Sequence, residues 1–150
     1  MSAMANLVAF DGAATPVAHT LIPISVTREK GKVTAEWRET LSGVPAYAQV
    51  RHYATIQKLS SGVYVCEQRT EVPVMESISG NNASGYTAAP KVAYVNTVVS
   101  RGMFHERSDA AGRRLVRQLA CNILNGVTTT VTPTTTGPAP DLFDQLAAPT

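Results

Sequence analysis

The chain has 150 residues, 44% hydrophobic and only 16% charged, with a formal net charge of +2. This suffices for one domain with an ordinary core, and so weak a positive balance does not by itself imply a nucleic-acid partner. Charge well below the usual quarter, on a chain rich in strand patterns, points instead to surface covered by another copy or a partner.

The basic residues are nine Arg and four Lys, a mix suited to planar stacking and phosphate forks. Cys66 and Cys121 are the only cysteines; they read as two buried free thiols rather than a disulfide framework. No segment has the length of a membrane span or the form of a secretory leader, so cytosolic folding with no membrane partner is expected.

In chain order, Asn6–Phe10 reads as a short strand and Val17–Val26 as its return, with Pro23 arguing for an edge position. Arg28–Lys32 is a polar turn around Gly31. Val33, Ala35 and Trp37 alternate with Thr34, Glu36 and Arg38 at a clear period of two. After a loop at Leu41–Pro45, Val50, Ala54 and Ile56 alternate with Gln49, Arg51, Tyr53, Thr55 and Gln57. Ser60-Ser61-Gly62 is a hairpin turn into a strand over Val63–Val74, with Glu67, Arg69 and Glu71 on one face. Glu76–Pro90 is a Gly/Asn/Ser loop, long enough to be functional or mobile.

Val92–Val99 is a further strand pattern, ended by Gly102. A helix follows over 108–125, capped by Ser108 and stopped by Asn125-Gly126. Its apolar stripe is Leu115, Val116, Leu119, Ala120, Ile123 and Leu124. Arg113, Arg114 and Arg117 read as its wet face. Arg107 and Arg113 lie within reach of Glu106 or Asp109. The threonine- and proline-rich tail, 127–150, is expected to run extended over the surface, with a short helical turn in Asp141–Ala148.

Strands grouped before a helix give an α+β fold: an N-terminal β-hairpin, an antiparallel sheet of about five strands and a C-terminal helical part. The whole forms one domain over 1–150, with the hairpin at 6–26 and the sheet at 33–99. One helix cannot cover four or five strands spaced about 4.8 Å apart. The remaining apolar face needs a cover, and the simplest is a two-fold copy of the chain.

The polar sheet face carries the candidate site: Gln49, Arg51, Tyr53, Thr55 and Gln57, with Glu67 and Arg69 on the next strand and Tyr94 and Asn96 on a third. Rings stack on bases, amides read base edges and Arg meets phosphate, which is how single-stranded RNA is bound. The same residues also read as a solvated face with cross-strand pairs. His19, His52, His105 and the cysteines share no metal-ligand spacing, and no nucleophile elbow or phosphate loop is present. No catalytic residue, metal or cofactor is therefore read; a small enzyme using Cys66 or His105 is the least supported alternative.

Ala35-Glu36-Trp37, Glu71-Val72-Pro73, Tyr94-Val95-Asn96 and Arg107-Ser108-Asp109, in this order, resemble the levivirus-type coat proteins of single-stranded RNA bacteriophages. The resemblance covers roughly Asn6 to Gly126. It implies an intertwined homodimer with a continuous sheet and helices crossing onto the partner's half. It implies an icosahedral virion shell, made in a bacterial cytoplasm, with the sheet facing the RNA genome and the 76–90 loop at symmetry axes. It further implies an RNA hairpin bound to repress replicase translation, with Tyr94 as the base-stacking residue and Asn96 beside it. Arg69 stands at a basic position of the family, with Arg51 and Thr55 on the matching face, whereas Glu67 replaces a threonine. The alternative is a cellular dimeric RNA-binding module without a shell.

Overall fold

A computed structural model describes residues 3–77, 83–85 and 89–150. Six strands form one antiparallel sheet in sequence order: β1 (Leu7–Phe10), β2 (Ala18–Glu29), β3 (Lys32–Glu39), β4 (Arg51–Lys58), β5 (Val63–Met75) and β6 (Val92–His105). The hairpin is thus part of the sheet rather than peripheral to it. The turn between β2 and β3 is two residues long, Lys30-Gly31, both at positive φ (48° and 77°), the form that matches strand twist. Of the 76–90 loop, residues 78–82 and 86–88 lie outside the described residues.

Pro23 sits at a break in the β2–β3 register, between Pro23 and Ser25. β1 pairs with β2 only as far as Leu21, so beyond that point β2 has no neighbour on the β1 side. The proline therefore has the edge setting that its missing N–H requires, although β2 as a whole is an inner strand. Gly102 does not end β6, which runs to His105. A Cβ there would lie 2.5 Å from the Phe104 ring and 2.9 Å from that of Phe143, so this glycine admits two aromatic rings against the sheet.

Period two assigns one sheet face to the core: Ala35, Trp37, Ala54, Ile56 and Cys66 are all buried. Their cover comes from the tail. Pro140–Asp144 forms a buried π-type turn that lays Leu142 and Phe143 on the sheet, with Phe143 edge-on to Phe104 at 6.1 Å. Trp37 Nε1 donates to Ala5 O at 2.9 Å, and Met4 N to Thr150 O at 2.9 Å, so both chain ends close over the same face. The end of the tail, Pro140–Asp144, is therefore core, whereas 128–136 runs mostly exposed as the sequence predicts. Its composition concealed this, because the burying residues are only a few among many threonines and prolines.

Helix α1 spans Ala110–Leu124. Its N-cap is Asp109, whose Oδ1 accepts from Gly112 N at 3.0 Å, and Ser108 instead donates to His105 O. Asn125 and Gly126 (φ 63°) end the helix as the sequence predicts, with Val127 N returning to Asn122 O. The three arginines are not a wet face. Arg117 grips the carboxylate of Asp144 at 2.9 and 2.8 Å, Arg114 at 3.1 Å, and Arg113 donates to the Asp144 carbonyl at 2.8 Å. Arg113 also reaches Ser108 O and Oγ. Glu106 pairs instead with Lys58 at 2.7 Å.

Through this clasp α1 rests on the Pro140–Asp144 turn and leaves its apolar stripe outward. Leu115, Val116, Leu119, Ile123 and Leu124 are all exposed, the last two by 77% and 79%. Cys121 is exposed on the same helix, contrary to the sequence reading, whereas Cys66 is buried and donates to Leu142 O at 3.2 Å.

Burial pushes the Asp144 carboxyl up, but the bonds from Arg117 and Arg114 outweigh it and hold it below the usual range. Asp144→Asn leaves two guanidinium groups without their counter-charge, and should cost about 3 kcal/mol in chemical denaturation. Because the folded-state pKa is depressed, this stability is full above the ordinary Asp value and is lost as pH falls through the lowered one, a loss the Asn variant should not show. Burial pushes the Cys66 thiol up to about 12. In a neutral-pH assay with a thiol reagent Cys66 should stay unmodified until denaturant is added, and rapid native labelling would show an opened core.

Candidate nucleic-acid interface

The second sheet face is polar across its middle, where polar residues of β2 to β5 alternate with the core residues. Cross-strand partners arrange it as rows. One row is Thr27, Thr34, Thr55, Glu67 and Arg101. The next is Ser25, Glu36, Tyr53, Arg69 and Val99. A third is Ile22, Arg38, Arg51, Glu71 and Thr97. Neighbours within a row are about 4.8 Å apart, and successive rows lie about 6.8 Å along the strands.

Contacts on the face follow the rows. Arg69 lies over the Tyr53 ring at 4.6 Å and its Nε is 3.1 Å from Glu71. Arg101 makes a two-pronged pair with Glu67 at 2.9 and 2.6 Å. The Thr34 and Thr55 hydroxyls meet at 3.2 Å. Arg51 Nη2 donates to Ala46 O at 3.3 Å, but its Nε has no hydrogen-bond partner. Among the described residues Glu36, Arg38 and Arg51 have no ion pair. Glu67 and Glu71 are thus paired within the face, with Arg101 and Arg69, and Arg51 stands outside both pairs.

Six of the nine residues proposed from sequence share this face: Arg51, Tyr53, Thr55, Gln57, Glu67 and Arg69. Three do not join them. Gln49 is buried and clamps the 41–44 loop, accepting from Leu41 N and donating to Leu41 O and Val44 O at 2.9–3.0 Å. Tyr94 pairs with Val74 and Asn96 with Val72, which places both on the helix side of the sheet with Thr70 and Cys66. Alternation within β6 was read correctly. Its phase relative to β5 is a matter of register, which no local pattern carries, and a shift between Val74 and Met75 adds to it. Arg38 and Arg101 belong to the face and were not singled out; the period-two pattern of β3 already placed Arg38 beside Thr34 and Glu36.

The helix side of the sheet is apolar and open near β6. Val98 is 68% exposed, Tyr94 59%, and Val72 is exposed beside them. A groove there is lined by Leu7, Phe10, Leu21, Val50, His52 and Val72. Burial draws the His52 pKa down, which favours a neutral ring stacked near Trp37 and bonded to Thr70 Oγ1 at 2.9 Å. β6 is also the sheet's edge: thirteen of its fourteen residues pair with β5, and among the described residues no strand pairs with its other side.

The model of the family described as levivirus coat protein matches residues 2–140. No curated protein matches the chain. Among solved structures, a virus-like particle of bacteriophage EMS014 is 30% identical, covering 99% of this chain and 100% of that one at a TM-score of 0.74. A virus-like particle of bacteriophage ESE058 is 21% identical over 98% and 99% of the two chains, at 0.72. The capsid protein of bacteriophage GA shares the fold at 14% identity over 95% of each chain, at 0.59. The six-stranded antiparallel sheet with its C-terminal helix and the match along nearly the whole sequence lead to one conclusion: the chain belongs to the levivirus coat protein family, and is a structural capsid protein rather than an enzyme.

Proposed function

We propose that this coat protein forms a two-fold dimer through β6, that the dimers assemble into an icosahedral shell, and that the polar sheet face turns inward onto single-stranded RNA. The observation that carries the reading is the pair of uncovered apolar surfaces. α1 leaves its stripe uncovered, with Val116, Ala120 and Leu124 along a cleft beside Gly102 and Phe104, and the sheet presents Val72, Tyr94 and Val98 with an unpaired edge strand beside them. A second copy related by a two-fold axis at β6 satisfies all three at once: it pairs the edge, lays its helix on the exposed strip and receives the first copy's helix in return. The virus-like particles of the EMS014 and ESE058 phages support assembly of this kind.

The face left for RNA carries Lys32, Arg38, Arg51, Arg69 and Arg101 against Glu29, Glu36, Glu67 and Glu71 on β2 to β6, five cations and four carboxylates. With an excess of one charge, stacking and hydrogen bonding hold RNA as much as neutralisation does. The same face, filled by one RNA hairpin, represses replicase translation. The protein is made in the cytoplasm of a bacterial host and ends in the virion.

Expressed alone, the protein should elute as a megadalton particle containing nuclease-protected RNA, with uniform shells in negative-stain microscopy. Leu119→Asp, placed in the stripe, should abolish the particle. A clean monomer from the unaltered chain sinks the proposal, and an RNA-binding dimer without shells would favour the cellular-module alternative. Tyr94→Ala should lower particle yield and stability while RNA per assembled particle stays unchanged; the opposite pattern would return Tyr94 to the RNA site.

A further inference from the structure

The polar face is not uniform. Around Tyr53 it brings together, on three neighbouring strands, a phenol ring with a guanidinium lying over it and, among the described residues, a carboxylate and two arginines without ion pairs. Tyr53 and Arg69 are cross-strand partners, with the guanidinium 4.6 Å from the ring centroid, and both are half-buried, so neither is free to swing away. On the other side of Tyr53 its cross-strand partner is Glu36, also half-buried. The other two carboxylates of these rows are spent, Glu67 on Arg101 and Glu71 on Arg69. Among the described residues Glu36 has no ion pair. One row along, Arg38 and Arg51 stand opposite each other, with Arg51 Nε lacking any hydrogen-bond partner.

We infer that Glu36, Tyr53 and Arg69, with Arg38 and Arg51, form a subsite for one unpaired guanine nucleotide of single-stranded RNA. The inference rests on the reading that this face meets RNA, and adds which base it selects. A base stacked on the phenol–guanidinium platform has its edge beside the neighbouring strand, where the carboxylate stands. A carboxylate only accepts hydrogen bonds. Guanine offers it two adjacent donors, N1–H and the N2 amine, which a carboxylate takes with both oxygens. Adenine and cytosine present one amine beside a ring-nitrogen acceptor, and uracil one imide N–H between two carbonyls. Each of those places a lone pair against the charge. The nucleotide's phosphate, one row away at about 7 Å, meets the two arginines, which have no ion pair among the described residues; Arg51 Nε, like Arg69 Nε, is buried without a hydrogen-bond partner.

The arrangement also explains a carboxylate that is otherwise misplaced. A half-buried, unpaired Glu in the middle of an RNA face opposes phosphate everywhere except at a base edge rich in donors.

The test is binding of purified full-length protein to seven-nucleotide RNAs that carry guanine, inosine, adenine or uracil at one central position in an otherwise fixed uridine context. Guanine should bind about tenfold more tightly than adenine or uracil, and inosine, which lacks the N2 amine, should lose most of that preference. Glu36→Gln should reduce the guanine preference to within about threefold while binding of the adenine and uracil RNAs holds or rises, since a negative charge has been removed. A merely structural Glu36 would weaken all four RNAs together. Equal binding of all four by the unaltered protein overturns the guanine subsite while leaving RNA packaging in place, as does a guanine preference that survives Glu36→Gln. Failure to bind any of them at low salt overturns the RNA-facing reading itself. Should the Gln variant not assemble, the inosine comparison on the unaltered protein decides alone.

Discussion

The clasp between Asp144 and the arginines of α1 is the constraint on which the rest depends. A helix with five exposed aliphatic residues would ordinarily fold down onto the nearest apolar sheet. Here that place is already taken by Leu142 and Phe143, and the helix is tied to the turn that carries them. The tail thus does two things through one segment. It closes the subunit's own core, and it holds α1 at a distance at which its stripe can only be buried by something else. Burial of five such side chains contributes on the order of 1.5–3 kcal/mol each, so leaving them in water is a strong drive towards association.

The sheet divides the labour by period. At one parity on β3, β4 and β5 the central residues are small or apolar and accept the tail: Ala35, Ala54 and Cys66 have no exposed surface at all. Residues at the other parity are threonines, arginines, glutamates and a tyrosine, and they make their contacts within the face. The two faces cannot exchange roles, because a one-residue slip of any strand would bury Arg51 and expose Ala54. Bulges are confined to two places, Pro23/Ser25 and Val74/Met75, at a local edge and at the far end of the β5–β6 pair. The central rows therefore remain in strict register, as the proposed RNA-facing surface, built from side chains on neighbouring strands, requires.

Most of the fold was legible because it is written locally. Alternation marked β3, β4 and β5, Gly31 and Gly62 marked their turns, and Asn125-Gly126 marked the end of α1. What was not legible is written at long range. Arg113, Arg114 and Arg117 look like a wet helix face until Asp144, about thirty residues on, is known to reach them. The tail looks like surface because threonine and proline dominate it, and only a threaded path shows that Leu142 and Phe143 fill the space beside Phe104. Tyr94 and Asn96 fail for the same reason. Their strand and their alternation were clear, but whether they share a face with Arg69 or with Thr70 is fixed by pairing, and register cannot be read from one strand alone. Six of the nine candidate residues share one face because β4 and β5 are joined by a short turn at Gly62, so their phases are locked together. β6 arrives after a long loop, which locks nothing.

This difference in what is locked has a functional counterpart. A face with nearly equal numbers of cations and carboxylates gains little from long-range attraction, and its affinity for RNA should fall less with salt than that of a basic patch. Contacts must then be won at short range, by rings, amides and hydroxyls held at fixed spacing. Such contacts are individually modest, about 1–3 kcal/mol for a stacked base, and they do not discriminate unless a hydrogen-bonding edge is set against them. A closed array of many identical faces changes the balance, because weak sites on a common scaffold act together on one long polymer. A single face can then remain selective without binding so tightly that the polymer cannot rearrange during closure. On the proposed RNA-facing reading the cross-strand ion pairs serve that end: with Glu67 and Glu71 paired to Arg101 and Arg69, the charged groups of these rows left without an ion pair among the described residues are Glu36, Arg38 and Arg51.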